Sequence, residues 1–156
     1  MERPFFVYCN GGFTCPAEAR RAKGEAGSFY ESINKNMTKK KRTEDKQLAL
    51  TAANIARDRN CTDIMVLDLT GISPATNYFV IATSTSDRQA RTVADEITAE
   101  AKQQGHKRFG VAGYTKGQWI LLDFVSVVIH IFDEEHRDYY NLELLWGDAK
   151  RLTIDE

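Results

Sequence analysis

Cysteine, long apolar runs and net charge are all scarce in this sequence, and each scarcity removes a class of protein. The three cysteines, Cys9, Cys15 and Cys61, are odd in number and show no CxxC spacing. That excludes a disulfide framework and a zinc knuckle, and makes a reducing compartment the expectation. No apolar run approaches the roughly 20 residues of a helical membrane span. Phe5-Phe6-Val7-Tyr8 is too short for a secretory signal, and Asn10-Gly11-Gly12 follows at once. The chain therefore reads as soluble and cytoplasmic, with no membrane partner. It contains no internal repeats.

The net charge of −1 conceals an asymmetry. Residues 1–42 carry nine Lys and Arg against four Glu, a surplus of five positive charges, while the remaining residues hold 12 basic and 18 acidic side chains. An acidic globular part suits basic protein partners better than phosphate backbones, so little direct RNA contact is expected of it. Residues 1–42 mix Gly, small polar residues and charges without a sustained period. They read as a disordered basic extension or a misplaced gene start, Met37 lying just before the first good helix, rather than a transit peptide to an organelle. Lys39–Arg42 has the charge to touch RNA, but a solvated linker is the simpler reading.

The domain is expected over residues 43–150, with 151–156 as a tail. Thr43 suits a helix N-cap, with Glu44 and Asp45 at the positive end, and Leu48, Ala52 and Ile55 recur on one face up to a stop at Asn60. Strands follow at residues 63–69 and 77–83, the second apolar on both faces and so central. Ser86-Asp87-Arg88-Gln89 has the spacing of a capping box and opens a helix with Ala90, Val93, Ala94, Ile97 and Ala101 in one stripe, ending at Gly105. A weak strand at 109–112, a Gly113–Gly117 turn, strands at 118–123 and 127–132, and a helix from about Asp133 to Trp146 complete the order. This order predicts an α/β (α+β) fold: one mixed sheet of about five strands flanked by helices.

Residues 63–89 (DIMVLDLTGISPATNYFVIATSTSDRQ), 117–123 (GQWILLD) and 128–149 (VIHIFDEEHRDYYNLELLWGDA) closely resemble the ribosomal silencing factor family, also called Iojap. The resemblance covers roughly Asp45 to Lys150. Its specificity lies in the ordered combination of an S-D-R-Q helix start, a W-x-x-x-D strand, V-x-H-x-F and R-x-Y-Y-N-L-E-x-L-W. Thr83, Asn77 and Ala112 stand where the family usually has a glycine and two acids, and Asp123-Phe124-Val125-Ser126 replaces its usual turn. The resemblance implies a fold related to nucleotidyltransferases without catalysis or cofactor. It also implies binding to the large ribosomal subunit at ribosomal protein L-fourteen, a block on small-subunit joining that represses translation, and a homodimer off the ribosome.

Trp119, Leu121 and Asp123 share one face of a strand and Ile120 and Leu122 the other. A large aromatic beside a carboxylate suits a contact with a basic ribosomal protein, although a Trp packed beneath a helix is the alternative from residues alone. The resemblance favours the interface, with Tyr114 and Gly113 on the preceding turn as further candidates. Asp133, Glu134, Arg137 and Tyr140 form a secondary candidate for a partner or dimer surface. There Arg137 is expected to pair with an acid one turn away such as Asp133, and Tyr140 reads more simply as core. His130, Asp133, Glu134 and His136 are zinc-type side chains, but none has the spacing of a metal helix, so no metal is expected. A nucleotide-handling enzyme is the alternative function. Thr83-Ser84-Thr85-Ser86 precedes a helix and Asp68 and Asp123 sit near strand ends, but the phosphate-approach glycine and a paired Asp-x-Asp are both missing.

Overall fold

A computed structural model describes residues 26–154. The chain divides into two compact units, Met1–Thr38 and Lys39–Glu156. Of the first, residues 26–38 are helical; the expectations for residues 1–25, like those for 155–156, lie outside the described residues.

Helix α1 spans Ala26–Asp58, so the helix begins well before Thr43. Thr43 is an interior residue whose hydroxyl donates to the Lys39 carbonyl at 3.1 Å, not a cap. Residues 26–42 contain no proline and include five Lys and Arg residues that favour a helix, and Phe29, Ile33 and Met37 recur at four-residue intervals. Lys39–Arg42 is helix and not linker. Asn60, with φ of +58°, ends the segment as expected.

Strands β1 (Thr62–Asp68) and β2 (Tyr78–Thr83) follow, then α2 (Asp87–Gln103), β3 (Gly110–Ala112), β4 (Trp119–Asp123) and β5 (Val127–Phe132). Ser86 caps α2, its hydroxyl accepting from the Gln89 amide at 3.2 Å. Gln89 completes the start differently from a standard box: its side-chain oxygen accepts from the Thr85 amide at 2.7 Å, and its nitrogen donates to the Arg59 carbonyl at 2.6 Å. One side chain thus closes the helix and ties it to the end of α1.

The expected last helix is two short ones, α3 (Glu134–Tyr140) and α4 (Leu142–Leu145). Asn141 divides them in the left-handed region (φ 39°, ψ 59°). It is among the residues that enter this region most readily, and it serves both helices: its amide donates to the Arg137 carbonyl and its side-chain oxygen accepts from the Leu144 amide. Residues 150–152, placed in and beside the expected tail, form a sixth strand, β6 (Lys150–Leu152), antiparallel to β1. A three-residue edge strand is too short to carry an alternation signal.

The six strands form one mixed sheet in the order β3-β4-β5-β2-β1-β6, antiparallel except between β2 and β5. The expected mixed sheet with flanking helices is present. One face packs Val66, Val80, Ile120, Leu122, Ile129 and Ile131 against Leu48, Ala49 and Ala52 of α1 and Val93, Ala94 and Ile97 of α2. Small alanines on both helices let their backbones lie close to the aliphatic sheet.

Candidate functional site

The opposite face is laid out by strand register. Trp119 stands beside Phe132 and Thr83; Leu121 beside His130 and Ile81; Asp123 beside Val128 and Phe79. Parity along β4 is as expected: Ile120 and Leu122 are fully buried, and Trp119, Leu121 and Asp123 are half-buried. Only part of this face is roofed, by the short α3–α4 pair. Tyr140 packs on Trp119 with ring centroids 4.6 Å apart, and Trp146 meets Phe79 edge-on at 5.7 Å. Trp119 itself lies over Phe132 at 5.0 Å. One edge of the Trp119 ring packs under Tyr140, while the residue remains partly open to solvent.

His130 fixes the ring. The Trp119 indole N–H donates to His130 Nδ1 at 3.2 Å, so the imidazole proton sits on Nε2, which is buried without a hydrogen-bond partner among the described residues. Phe79 lies edge-on to the imidazole at 4.9 Å and Phe132 stacks nearly parallel to it. Desolvation in this aromatic setting pushes the His130 pKa down from 6.5 to about 4, keeping it neutral at physiological pH. The sequence marked His130 as a sheet residue but carried no sign that it anchors Trp119. Their pairing across diagonal strand positions becomes visible only once β4 and β5 are in register.

Asp123 has a local duty as well as a partly exposed carboxylate. Its Oδ1 accepts from the Val125 amide at 2.7 Å, holding the turn in which Val125 takes a positive φ of 71°. Gly113 is required by the backbone itself, because at its φ of +73° a Cβ would collide with the Trp119 carbonyl. Tyr114 does not join the Trp119 face. Its hydroxyl donates to Asp95 on α2 at 2.8 Å, and α2 packs on the other side of the sheet.

The secondary group is divided. Arg137 is buried, 9% exposed, and pairs with Glu143 on α4 (Nε to Oε1, 2.7 Å) and with the Thr83 hydroxyl (2.8 Å), not with Asp133. The break at Asn141 folds Glu143 back onto it, an arrangement that one-turn spacing on a single helix does not anticipate. Arg137 therefore fastens α3 and α4 to the end of β2 and is not available to a partner. Asp133 caps α3 by accepting from the His136 amide at 2.7 Å and holds the His136 ring at 2.8 Å. Glu134 is exposed. Tyr140 is 43% exposed at the margin of the Trp119 cluster, and Tyr139, Leu144 and Leu145 continue the exposed apolar surface along α3 and α4.

The remaining constellations are not assembled. His130 and His136 make separate contacts, and among the described residues no group of three or more metal-type side chains comes together. Asp68 and Asp123 lie on opposite faces and are separated by two intervening strands, roughly 14 Å of sheet at the usual spacing. A broad groove of about 1220 Å³ opens beside Thr83, Ser84 and Thr85. Its lining includes Asp63, Asp133, Glu134, Glu135, Asp138 and Glu143, and its only cation among the described residues is Arg137, already paired, so its charge opposes a free phosphate.

Comparison with known proteins adds the relationship. Residues 41–156 match the family model described as "Ribosomal silencing factor during starvation". A ribosomal silencing factor RsfS from Bacillus subtilis is 38% identical over 110 residues, covering 70% of this chain and 93% of that protein. The chloroplastic protein Iojap of Zea mays is 38% identical over 109 residues, covering 68% of this chain and 46% of that protein. A crystal structure of a Chromobacterium violaceum protein matches with a TM-score of 0.61 at 32% identity, covering 67% of this chain and 85% of that one.

Proposed function

This chain belongs to the ribosomal silencing factor family, and on that premise we propose that it binds the large ribosomal subunit through ribosomal protein L-fourteen and prevents the small subunit from joining. The observation that carries the reading is the half-roofed sheet face: Trp119, Leu121 and Asp123 side by side, with Tyr140 at the margin. A fixed aromatic ring, an aliphatic neighbour and a carboxylate make a surface that buries apolar area and selects a basic partner. The indole is already oriented by His130 and Tyr140, so little side-chain entropy is lost on docking. Steric exclusion needs occupancy and no bond-making step, so the protein acts as a translation repressor and not as an enzyme. Its place of action is that of the ribosomes it silences.

The test is cosedimentation of the full chain with purified large subunits. Trp119→Ala is expected to weaken binding by about 30-fold or more, as truncation of a hot-spot aromatic costs at least about 2 kcal/mol. Trp119→Phe, which retains a ring against Phe132, should recover part of the loss. Unchanged binding by both variants would place the interface elsewhere.

A further inference from the structure

The cations of α1 are arranged by the helical period. Lys39, Lys40, Lys41 and Arg42 are consecutive helical residues, about 100° apart, and all four are exposed, so over this turn no side of the helix is packed. Packing begins further on, with buried Asp45, which accepts from Asn77 Nδ2 at 3.1 Å, and with Leu48. Lys46, also exposed, lies seven residues beyond Lys39 and four beyond Arg42. Lys39, Arg42 and Lys46 therefore fall in one stripe about 60° wide and roughly 10 Å long.

Carboxylates are kept off this stripe. Glu44 lies about 140° round the helix from Lys39, and it pairs with Lys40 at 3.9 Å. Asp45 is turned inward. Among the described residues none of Lys39, Arg42 and Lys46 is held in an ion pair. Three cations without an ion-pair partner among the described residues thus share one side of a helix in a unit with a surplus of acids.

We infer that Lys39, Arg42 and Lys46 form a contact strip for the phosphate backbone of double-stranded RNA. The choice of RNA rests on the large-subunit reading above, whereas the polyanion chemistry rests on the stripe alone. A lipid surface would require an apolar face for the acyl layer, and among the described side chains of α1 the apolar Leu48, Ala49, Ala52 and Ala53 are already buried within the domain core. Contacts of this kind position a protein without reading base sequence. The aromatic sheet face and the basic helix would then grip protein and RNA respectively.

The experiment uses the full chain and a short RNA duplex, with affinity followed by fluorescence anisotropy at several salt concentrations. The triple variant Lys39→Gln, Arg42→Gln, Lys46→Gln keeps good helix formers at exposed positions, and unchanged helicity and melting would verify its fold. Its log affinity against log salt should be shallower than wild type by about 2.7, at roughly 0.9 per phosphate contact. Those three contacts alone account for about a 40-fold loss of affinity between about 50 and 200 mM salt. A control triple, Lys102→Gln, Lys107→Gln, Lys116→Gln, should change the slope little. The inference is overturned by an unchanged slope in the first variant or an equal change in the control. It is also overturned if phosphatidylglycerol vesicles bind the wild type as tightly as RNA does and lose the triple variant. Trp119→Ala should retain duplex binding, so a failure of the protein-docking reading leaves a different signature from a failure of this one.

Discussion

Under α1 and α2 the sheet presents Val66, Val80, Ile120, Leu122, Ile129 and Ile131, all sealed from water, whereas its other face presents Trp119, Leu121, Asp123, Phe79 and Val128 only half covered by α3 and α4. The sealed face is aliphatic and fitted to alanine-rich helices; the open face is aromatic and includes a histidine and a carboxylate. Burial of the first holds the fold together. The second keeps apolar area in reserve, with its rings fixed in place by one another, which is the form expected of a surface completed by another molecule. Adjacent residues on β4 belong to different regimes.

Neighbouring substitutions should expose that division most strongly. Ile120→Ala is expected to cost about 4 kcal/mol of stability, since it deletes fully buried methylenes and leaves a cavity. Leu121→Ala, one residue on, should cost less than about 1 kcal/mol in denaturant unfolding while weakening large-subunit binding. Equal stability losses would erase the distinction between the faces.

A smaller effect should appear with pH. The folded-state pKa of His130 is near 4, below the ordinary value of 6.5, so the unfolded chain takes up a proton that the folded chain refuses. Its contribution is fully present above about pH 6.5 and is lost progressively as pH falls towards about 4, by up to about 3 kcal/mol. His130→Phe removes this dependence and the Trp119 hydrogen bond together. Its unfolding free energy should therefore fall less steeply between pH 7 and 4, and its indole fluorescence should report a freer ring. A slope equal to that of wild type would show that His130 does not titrate as its surroundings dictate.

The smallest expected effect concerns charge on the open face. Asp123→Asn retains an oxygen for the Val125 amide, so stability should shift by less than about 0.5 kcal/mol. Binding to a basic partner should weaken by about threefold to tenfold, with a reduced salt dependence. Unchanged salt dependence would remove the carboxylate from the contact.

Legibility followed the range of each interaction. Ser86 and Gln89 announced a helix start because capping is decided within four residues, and the split of β4 into two faces followed from its two-residue period. Strand β5 was readable from its apolar composition alone. Long-range partners were not readable: Arg137 with Glu143 and Thr83, Tyr114 with Asp95, and His130 with Trp119 depend on strand order or on the break at Asn141. Asn141 did offer a signal, as a residue suited both to a left-handed stop and to an N-cap, but the apolar spacing of Tyr139, Leu142 and Trp146 concealed it. The start of α1 was concealed because Gly27, Ser28, Asn34 and Asn36, all weaker helix formers, interrupt the spacing of Phe29, Ile33 and Met37.

The central claim is exclusion of the small subunit by occupancy, and a subunit-joining assay measures it directly. Purified large subunits are incubated with excess full chain, small subunits are added, and joined particles are quantified on a sucrose gradient. The account predicts that joined particles decline as the chain is titrated, with the chain sedimenting on free large subunits and Trp119→Ala failing to produce the decline. Undiminished joining at saturating chain, or the chain migrating with joined particles, would contradict it.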